Sequence, residues 1–194
     1  MIRYQKNPKG SGKIIEVDGR QYQAKYIGKG QFSKVYRVGD RVVYYTRGDC
    51  GKEVLAMFQY HRMMHLPELI RHENITVRPG VYWYVFSSPY YRDVMKKDGS
   101  AYQLMKDIIK YYEEIRRAYY NTGIKGIDLM QAIVDDMNNF TKLPHSVVKA
   151  LQEIVNVASN CGPIVGFDLN KKNFGVNEYG TLIFRDPFYV LESK

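Results

Sequence analysis

Cysteine and long apolar runs are scarce in this chain, and each absence excludes a class of protein. The two cysteines, Cys50 and Cys161, are too few for a disulfide framework and have no cysteine or histidine at metal-ligand spacing. We therefore expect reduced thiols without a catalytic role. No apolar run approaches the roughly 18 residues of a transmembrane helix, and the first residues lack the apolar stretch of a signal peptide. These features predict a cytoplasmic protein without membrane association.

Histidine is also rare, with four residues in the chain. His61 and His65 are four positions apart, a spacing that can bind zinc on a helix, but no glutamate stands between them in the order of a zinc-protease motif. We expect both to be partly exposed helix residues, and the sequence predicts no zinc site.

The bulk composition is that of a globular protein. The 194 residues are 45% hydrophobic and 25% charged, which suits one domain that can have two lobes. The net charge of +9 favours polyanionic partners such as nucleotides, nucleic acid or acidic protein surfaces. Six tyrosines are candidate stacking platforms for nucleic acid: Tyr90, Tyr91, Tyr111, Tyr112, Tyr119 and Tyr120. Adjacent tyrosines on a helix point about 100° apart, so a nucleic-acid-binding module ranks last among the functions considered.

The first 90 residues predict an antiparallel sheet with one helix. The predicted strands are residues 21–26, 34–38, 41–46, 74–78 and 81–86. Turns at Gly39-Asp40 and Pro79-Gly80 join neighbouring strands into hairpins. Asp49 is the expected N-cap of a helix that runs to about His65. This part, residues 1–90, is predicted to form an N-terminal lobe.

Residues 91–194 predict a helical lobe that ends in short strands. The predicted helices are residues 101–120, a segment beginning at about 127, and residues 144–158; the predicted strands are 174–176 and 181–184. A turn at residues 178–180 joins the two strands. With the β-rich first lobe, this order of elements predicts an α+β fold.

A glycine-rich turn, Gly28 to Ser33, lies between two predicted strands. Its glycines allow the backbone to approach a ligand and to direct N–H groups at phosphate oxygens. The turn lacks the Lys-Ser/Thr pair of a P-loop and does not open a helix. Taken alone, the motif is more typical of a plain hairpin turn than of a phosphate-binding loop.

Three polar residues near the C-terminus form the most specific pattern in the sequence. Asp168 and Asn173 lie five residues apart, and Asp186 follows after a predicted hairpin. Asp168 can accept a proton or orient a hydroxyl, and the oxygens of Asn173 and Asp186 are ligands that suit Mg²⁺. Considered one at a time, these residues are more typical of turn caps and strand ends. Their order around a hairpin favours a phosphoryl-transfer site with Asn173 and Asp186 as metal ligands.

In this order, the motifs resemble those of the protein kinase superfamily, from about Tyr22 to Phe188. The resemblance implies a protein-kinase-like bilobal fold, with ATP and Mg²⁺ as cofactors and Glu53 as the helix glutamate. It implies a hinge at Ser87 to Pro89, whose backbone groups hold adenine. The nucleotide-binding residues implied are Gly28, Lys29, Gly30, Gln31, Phe32, Ser33, Lys34, Val35, Ser87 and Ser88. The small size, the D-P-F variant and the many tyrosines most resemble small bacteriophage serine/threonine kinases of the T7 early type.

Three departures from the family pattern bear on activity. Tyr45 stands where the family has its phosphate-binding strand lysine, and Lys34 is the favoured substitute, ahead of Lys25, Arg41 and Arg47. Gly166-Phe167 replaces the His-Arg pair before the catalytic aspartate, so regulation through an activation-loop phosphate is not expected. Six residues follow Phe188, so we expect neither an activation segment nor a further helical half-lobe.

Three functions follow from these observations. The first is a minimal kinase that transfers the γ-phosphate of ATP to a protein hydroxyl, on itself or on a host protein, during phage takeover of the host. The second is a pseudokinase that acts by binding and inhibiting a host partner. The third is the basic nucleic-acid-binding module.

Overall fold

The computed structural model describes residues 2–6, 13–17, 20–29, 33–47, 49–57, 63–72, 74–78, 81–162 and 164–190. The fold is mixed α+β, as predicted, with antiparallel sheets and four α-helices in the described residues. The chain forms two compact units. The first contains residues 1–56 and 68–90, and the second contains residues 57–67 and 91–194. The predicted lobes were divided after residue 90, but the segment 57–67, predicted to be in the first lobe, belongs to the second unit.

The first unit is built around an antiparallel sheet. Its strands are β1 Ile2–Lys6, β2 Lys13–Val17, β3 Arg20–Lys29, β4 Ser33–Val38, β5 Arg41–Thr46, β6 Ile70–Arg71, β7 Ile75–Arg78 and β8 Val81–Pro89, with helix α1 at Cys50–Met57. The strand order is β1-β2-β3-β4-β5-β8-β6, and β7 also pairs with β8. Strand β8 therefore returns beside β5 after α1, which makes it a central strand.

Hairpin geometry accounts for the register of β4 and β5. Gly39 has a φ of 61°, a left-handed conformation that glycine adopts without a Cβ penalty. The turn fixes the pairs from Val38 with Arg41 to Ser33 with Thr46. Because side chains alternate along a strand, each residue pair lies on one face of the sheet, and the next pair lies on the other.

Helix α1 begins where the sequence predicts and ends earlier. The Asp49 side chain caps it, since its Oδ1 accepts a hydrogen bond from the Lys52 N–H at 3.1 Å. The described helix comprises Cys50–Met57, and His65, where the sequence predicted its end, is not helical. Residues 63–66 form a turn closed by the Leu66 N–H and the Met63 carbonyl at 3.2 Å. His65 has a φ of 76°, which a helix does not accommodate.

The second unit combines three helices with short strands. The helices are α2 Gly99–Ala118, α3 Gly126–Phe140 and α4 His145–Ser159; the strands are β9 Arg92–Asp93, β10 Val165–Phe167, β11 Phe174–Val176, β12 Leu182–Phe184 and β13 Phe188–Val190. Strands β10 and β13 form one ribbon, and β12-β11-β9 form a second small sheet. Single 3₁₀ turns occupy Lys96–Asp98 and Lys171–Asn173. All three helices lie close to the predicted positions.

The core of the second unit consists largely of apolar stripes on α3 and α4. Met137, Val147, Leu151 and Ile154 are fully buried, as the helical periodicity predicts. Burial of these side chains supplies most of the stabilising free energy of such a unit. Among the described residues, no helix combines the length and the apolar character needed to cross a membrane.

Candidate functional site

The main chain holds Asp168 at the end of the β10–β13 ribbon. Phe167 pairs with Phe188 in that ribbon, and the Asp168 N–H donates to the Pro187 carbonyl at 2.8 Å. On α2, the Tyr112 hydroxyl donates to the Phe167 carbonyl at 3.0 Å. These two hydrogen bonds fix both polar groups of the peptide unit that joins Phe167 to Asp168. Its carboxylate is half-buried.

The Tyr112 phenol is held in its protonated, donating form. Burial raises the pKa of Tyr112, and the negative charge of Asp168 contributes in the same direction. Its ring also packs edge-on against Phe167, with centroids 6.3 Å apart. The sequence analysis considered Tyr112 as a candidate stacking platform and did not predict that it positions the loop.

Internal hydrogen bonds close the loop that follows Asp168. The Asn173 side chain donates from Nδ2 to the Asp168 carbonyl at 2.8 Å, which joins the two ends of the loop. Asn170 donates from Nδ2 to the Asp168 carboxylate at 2.6 Å and accepts at Oδ1 from the Lys172 N–H at 2.9 Å. Leu169 is buried and anchors the loop in the core. The Nδ2 atom of Asn173 donates to the loop. Its amide oxygen is the atom that can bind a cation.

Asp186 reaches the same place through the β11–β12 hairpin. Phe174 pairs with Phe184, and beyond that pair the Arg185 N–H donates to the Asn173 carbonyl at 2.7 Å. Asp186 therefore follows a residue bonded to Asn173 and precedes Pro187, whose carbonyl accepts from Asp168. The structure brings the three predicted residues together through their backbones. Asp186 is exposed.

The donor set contains two carboxylates and one amide oxygen. Among the described residues, there is no group of three or more histidine, cysteine, aspartate or glutamate side chains that could hold a metal ion. Oxygen ligands from one or two carboxylates, completed by substrate phosphates and water, are the usual protein contribution to Mg²⁺ binding. The residues present are therefore of the types that fit a magnesium site completed by ligands from outside the protein, and they do not form an all-protein cage.

Arg185 is a part of the site that sequence reasoning missed. Its Nη2 donates to the Lys172 carbonyl at 2.7 Å and to the Asp93 carboxylate at 2.9 Å, and its Nη1 donates to the Tyr91 carbonyl at 3.2 Å. The guanidinium thus connects β9 to the loop that carries Asn173. An arginine directly after the apolar run of β12 was the available signal, since a cation at a strand end needs acceptors nearby.

Close packing requires a glycine at position 175, and the Tyr189 side chain covers Gly166. A Cβ on Gly175 would lie 2.7 Å from the Tyr91 Cβ and 2.9 Å from the Arg185 Cδ. A Cβ on Gly166 would overlap the ring of Tyr189, its cross-strand partner. The glycine before Phe167, which sequence reasoning treated as a departure from the family pattern, therefore has a local steric cause.

His65 lies in the core of the second unit, so the prediction of a partly exposed helix histidine was wrong for it. Its Nδ1 is 2.8 Å from the Leu182 carbonyl, and its Nε2 is 3.1 Å from the Ser146 hydroxyl. Its own carbonyl accepts from the Phe184 N–H at 2.8 Å. Burial lowers the pKa of His65, with the hydrogen bond to Leu182 opposing that effect. The neutral ring donates from Nδ1, because a carbonyl can only accept. His61 lies outside the described residues.

In the first unit, the glycine-rich turn lies at the end of the β3–β4 hairpin. Gly28 pairs with Val35, and Lys29 pairs with Lys34, so the predicted turn does connect two strands. Gly30, Gln31 and Phe32 lie outside the described residues. A Cβ on Gly28 would meet nothing within 4 Å, so packing does not explain that glycine.

The two faces of the sheet separate Tyr44 from Tyr45. Tyr45 is buried in a cluster with Tyr36, and the two rings meet edge-on with centroids 5.7 Å apart. Tyr44 points to the opposite face, where the Lys52 ammonium of α1 lies 5.5 Å from the centre of its ring. Tyr44, paired with Val35, is therefore a β5 residue on the face that meets α1. Tyr45, which the resemblance places at the lysine position, lies in the buried cluster on the opposite face.

The same alternation places the predicted substitute cations. Lys34 pairs with Tyr45, and its ammonium lies 5.3 Å from the Trp83 ring. Arg47 lies over the same ring at 4.6 Å, and Arg41 donates to the Ser87 hydroxyl at 3.0 Å. Lys34, the favoured substitute, therefore points away from the face that contains Val35 and Tyr44. Lys25, the remaining candidate, is exposed on β3.

Glu53 lies half-buried in the first turn of α1, where its N–H donates to the Asp49 carbonyl at 3.1 Å. Lys52 of α1 forms an ion pair with Asp49 at 2.8 Å. Within the described part of the chain, no ion pair includes Glu53. The predicted role of Glu53 as partner of a phosphate-binding lysine stays a prediction.

Ser87 and Ser88 belong to strand β8, where they pair with Val43 and Val42. Both are buried, and their hydroxyls bond to side chains of the sheet: Ser87 to His72 at 2.8 Å, and Ser88 to Tyr44 at 3.3 Å. Their predicted role in holding adenine stays a prediction.

The tyrosines proposed as stacking platforms have different surroundings. Tyr91 is buried, and the Tyr112 hydroxyl is bonded to the backbone beside Asp168. The Arg37 guanidinium lies 3.9 Å from the centre of the Tyr90 ring. Tyr120 is 84% exposed. Tyr91 and Tyr112 therefore have structural roles that account for them without a nucleic acid.

The comparisons with protein-family models and curated sequences provide no assignment, so the functional proposal is based on the geometry of the site. No protein-family model matches the chain, and no curated protein sequence matches it at a significant level.

Proposed function

We propose that this chain is a protein-kinase-like phosphotransferase that uses ATP and Mg²⁺ and transfers the γ-phosphate to a protein hydroxyl. The observation that carries the proposal is the closed loop from Asp168 to Asn173, with Asp186 joined to it through Arg185 and Pro187. A turn-capping role would explain each residue separately. It would not explain why the β10–β13 ribbon and the β11–β12 hairpin deliver an aspartate, an asparagine and a second aspartate to one place.

The proposed chemistry assigns one role to each residue. The Asp168 carboxylate accepts the proton of the attacking hydroxyl, whose oxygen forms a bond to the γ-phosphorus. The bond from that phosphorus to the β,γ-bridging oxygen breaks, and ADP leaves with the electron pair. Magnesium supplies charge neutralisation at the phosphates. The Asn173 amide oxygen and the Asp186 carboxylate are the protein groups that would hold it.

The order of elements supports the same proposal. The first unit has a glycine-rich β3–β4 hairpin, then β5, then α1, and then β8 beside β5. The second unit has helices, the Asp168 loop, the β11–β12 hairpin and Asp186. The protein-kinase-like fold is part of the proposal, because a glycine-rich turn, a catalytic loop and a metal aspartate occur in this order in that superfamily.

The decisive experiment measures transfer of labelled phosphate from ATP. We expect the wild-type protein with Mg²⁺ to label itself or a protein in a bacterial lysate, and Asp168→Asn and Asp186→Asn each to reduce labelling at least about 100-fold. Glu178→Gln is the matched control, because it neutralises an exposed carboxylate at the opposite end of the β11–β12 hairpin. Equal labelling by the wild type and Asp186→Asn, or none by either, contradicts the proposal.

A second candidate function is binding without turnover, in which the chain occupies and inhibits a host protein. The observation that favours it is Tyr44, because the side chain that β5 presents to α1 is a phenol and not an ammonium. Under this alternative, the double variant Asp168→Asn, Asp186→Asn retains full affinity for a partner recovered with the wild-type protein. Loss of that affinity in the double variant removes the alternative.

A further inference from the structure

A cluster on the α1-facing side of the first unit links a buried cation to the glycine-rich hairpin. The Asp49 Oδ2 atom accepts the Lys52 ammonium at 2.8 Å and also lies 3.3 Å from the Ser33 hydroxyl. Ser33 is the first residue of β4 and the last residue of the glycine-rich turn. One carboxylate oxygen therefore connects the ammonium to the base of that turn.

The position of Lys52 within the sheet and helix is well defined. Its ammonium lies 5.5 Å from the centre of the Tyr44 ring, and Tyr44 pairs with Val35 at the start of the hairpin. The Tyr44 hydroxyl is 3.3 Å from the Ser88 hydroxyl, which holds the ring in place. A carboxylate at one side and an aromatic face at another orient the ammonium.

The stability of helix α1 does not require a buried lysine at position 52. Lys52 is only 9% exposed as a residue, although lysine is almost never fully buried unless it is paired. Asp49 caps α1 through Oδ1 and the Lys52 N–H, an interaction that any residue at position 52 except proline could provide. Desolvating an ammonium costs free energy that the ion pair only partly returns. The side chain at position 52 therefore needs an explanation beyond helix stability.

Three of the cations considered as substitutes for the strand lysine are on the opposite face of the sheet. Lys34 and Arg47 lie over the Trp83 ring, and Arg41 donates to Ser87. Alternation along the strands places all three with Tyr45, on the side opposite Val35 and Tyr44. On the face that contains Val35, the Arg37 guanidinium lies over the Tyr90 ring at 3.9 Å and that of Arg71 over the Tyr84 ring at 5.6 Å. Lys52 differs from both because Asp49 joins its ammonium to Ser33, at the base of the glycine-rich turn.

We propose that Lys52 is the cation that contacts the nucleotide phosphates, and that Asp49 is the positioning residue that orients its ammonium. The proposal rests on the proposed function, since it requires that the chain bind ATP. A lysine in the first turn of α1 then replaces a cation on β5. The carboxylate partner lies on the same helix turn, three residues before the lysine. Preorganisation by Asp49 and Tyr44 reduces the entropy lost when the ammonium meets a phosphate.

The test compares binding of ATP with Mg²⁺ and binding of adenosine by calorimetry. We expect Lys52→Met to weaken ATP binding by about 10- to 100-fold, the equivalent of one charge-assisted hydrogen bond. Adenosine has no phosphate, so its affinity stays within about twofold. Lys110→Met, which removes an exposed ammonium of α2, is the matched control and leaves both affinities unchanged. Lys34→Met is the variant that tests a cation of the opposite face. Lys52→Arg retains most of the ATP affinity because it keeps the charge.

A second variant protects the test against misfolding, because Lys52→Met leaves the Asp49 carboxylate buried without its ammonium. The double variant Asp49→Asn, Lys52→Met removes both charges, and we expect it to melt close to the wild type while losing ATP affinity to the same extent. Asp49→Asn alone keeps the ammonium but releases its orientation, so ATP affinity falls less than in Lys52→Met.

The outcomes separate this inference from the proposed function. If Lys52→Met and the double variant Asp49→Asn, Lys52→Met bind ATP as well as the wild type does, Lys52 is not the phosphate cation. The proposed function is then unaffected. If Lys34→Met loses ATP affinity, the phosphate site is on the opposite face and the inference is wrong. If the wild type binds no ATP in the presence of Mg²⁺, the proposed function and this inference both fall.

Discussion

Asn173 donates a hydrogen bond from its side-chain amide to the main-chain carbonyl of Asp168 at 2.8 Å. This contact gives Asn173 two tasks at once, because its nitrogen closes the loop while its oxygen remains the atom suited to a cation. A residue that did only one of these tasks would not need an amide. The predictions below separate the two tasks and extend to the residues that hold the loop.

Replacing Asn173 by alanine should remove the response to magnesium. In the wild type, we expect ATP with Mg²⁺, at about 100 times its Kd, to raise the melting temperature by about 5–10 °C, and more than ATP alone. Asn173→Ala should lose the increment that depends on Mg²⁺. Loss of the loop hydrogen bond should also cost about 1 kcal/mol of unfolding free energy.

Asn177→Ala is the control for that experiment. The Asn177 Oδ1 atom accepts from the N–H groups of Tyr179 and Thr181 at 3.0 and 2.8 Å, at the far end of the same hairpin. Its loss should destabilise the protein by a similar amount while the response to magnesium persists. Equal responses in the two alanine variants would show that Asn173 is not a metal ligand.

Arg185 and Asp93 should contribute unequally to the free energy of unfolding, although they form an ion pair. The Asp93 side chain is 77% exposed, so water screens the pair, and Asp93→Ala should change the unfolding free energy by no more than about 0.5 kcal/mol. Arg185→Leu also removes the hydrogen bonds to the Tyr91 and Lys172 carbonyls, which should cost about 1–3 kcal/mol. Chemical denaturation of the two variants measures the difference. Equal losses would mean that the ion pair dominates.

Arg185→Lys tests positioning more directly than stability. A lysine keeps the charge but cannot reach three acceptors with a planar fork. If Arg185 positions the loop, the variant should need more Mg²⁺ for half-maximal phosphate transfer, while its melting temperature falls only slightly. An unchanged magnesium requirement would assign Arg185 a purely structural role.

Gly175→Ala should destabilise the protein by overpacking. The added Cβ would lie 2.7 Å from the Tyr91 Cβ, a contact that forces the strands apart and costs about 1–3 kcal/mol. For a chain of this size, we expect the melting temperature to fall by about 3–10 °C. Gly28→Ala provides the comparison, since its Cβ meets nothing within 4 Å and should leave the melting temperature nearly unchanged. Equal melting temperatures for the two variants would contradict the packing at Gly175.

His65 should make stability depend on pH in mildly acidic solution. Burial lowers the pKa of His65 below the ordinary value of 6.5 that applies in the unfolded chain. Below that value, the unfolded state binds a proton that the folded state does not, so stability falls as the pH falls from about 7 to 5. The stabilising contribution is fully present above the ordinary value.

The pH effect is measured as the difference in unfolding free energy between pH 7.5 and pH 5.5. His65→Gln cannot protonate, so it should lower stability at pH 7.5 but show a smaller difference between the two pH values. His145→Gln, at the exposed first residue of α4, is the control and should retain the wild-type difference. If His65→Gln retains the full difference, another group is responsible.

The sequence by itself determined the α+β order of the elements and much of their extent. Alternation, the Gly39-Asp40 turn and the Asp49 cap act within a few residues, so they place β4, β5 and the start of α1 without tertiary information. The same holds for the convergence of Asn173 and Asp186. A short hairpin must return its two ends to one place.

Only the tertiary structure decided which side chains share a face, and which partner each one meets. Period-two alternation assigns Tyr44 and Tyr45 to opposite faces, but the position of α1 decides that Tyr44 meets Lys52 while Tyr45 enters the core. The roles of Arg185 and His65 depend on acceptors far away in sequence, at Tyr91 and Leu182. Local patterns contain no information about such partners, because packing between distant segments creates those contacts.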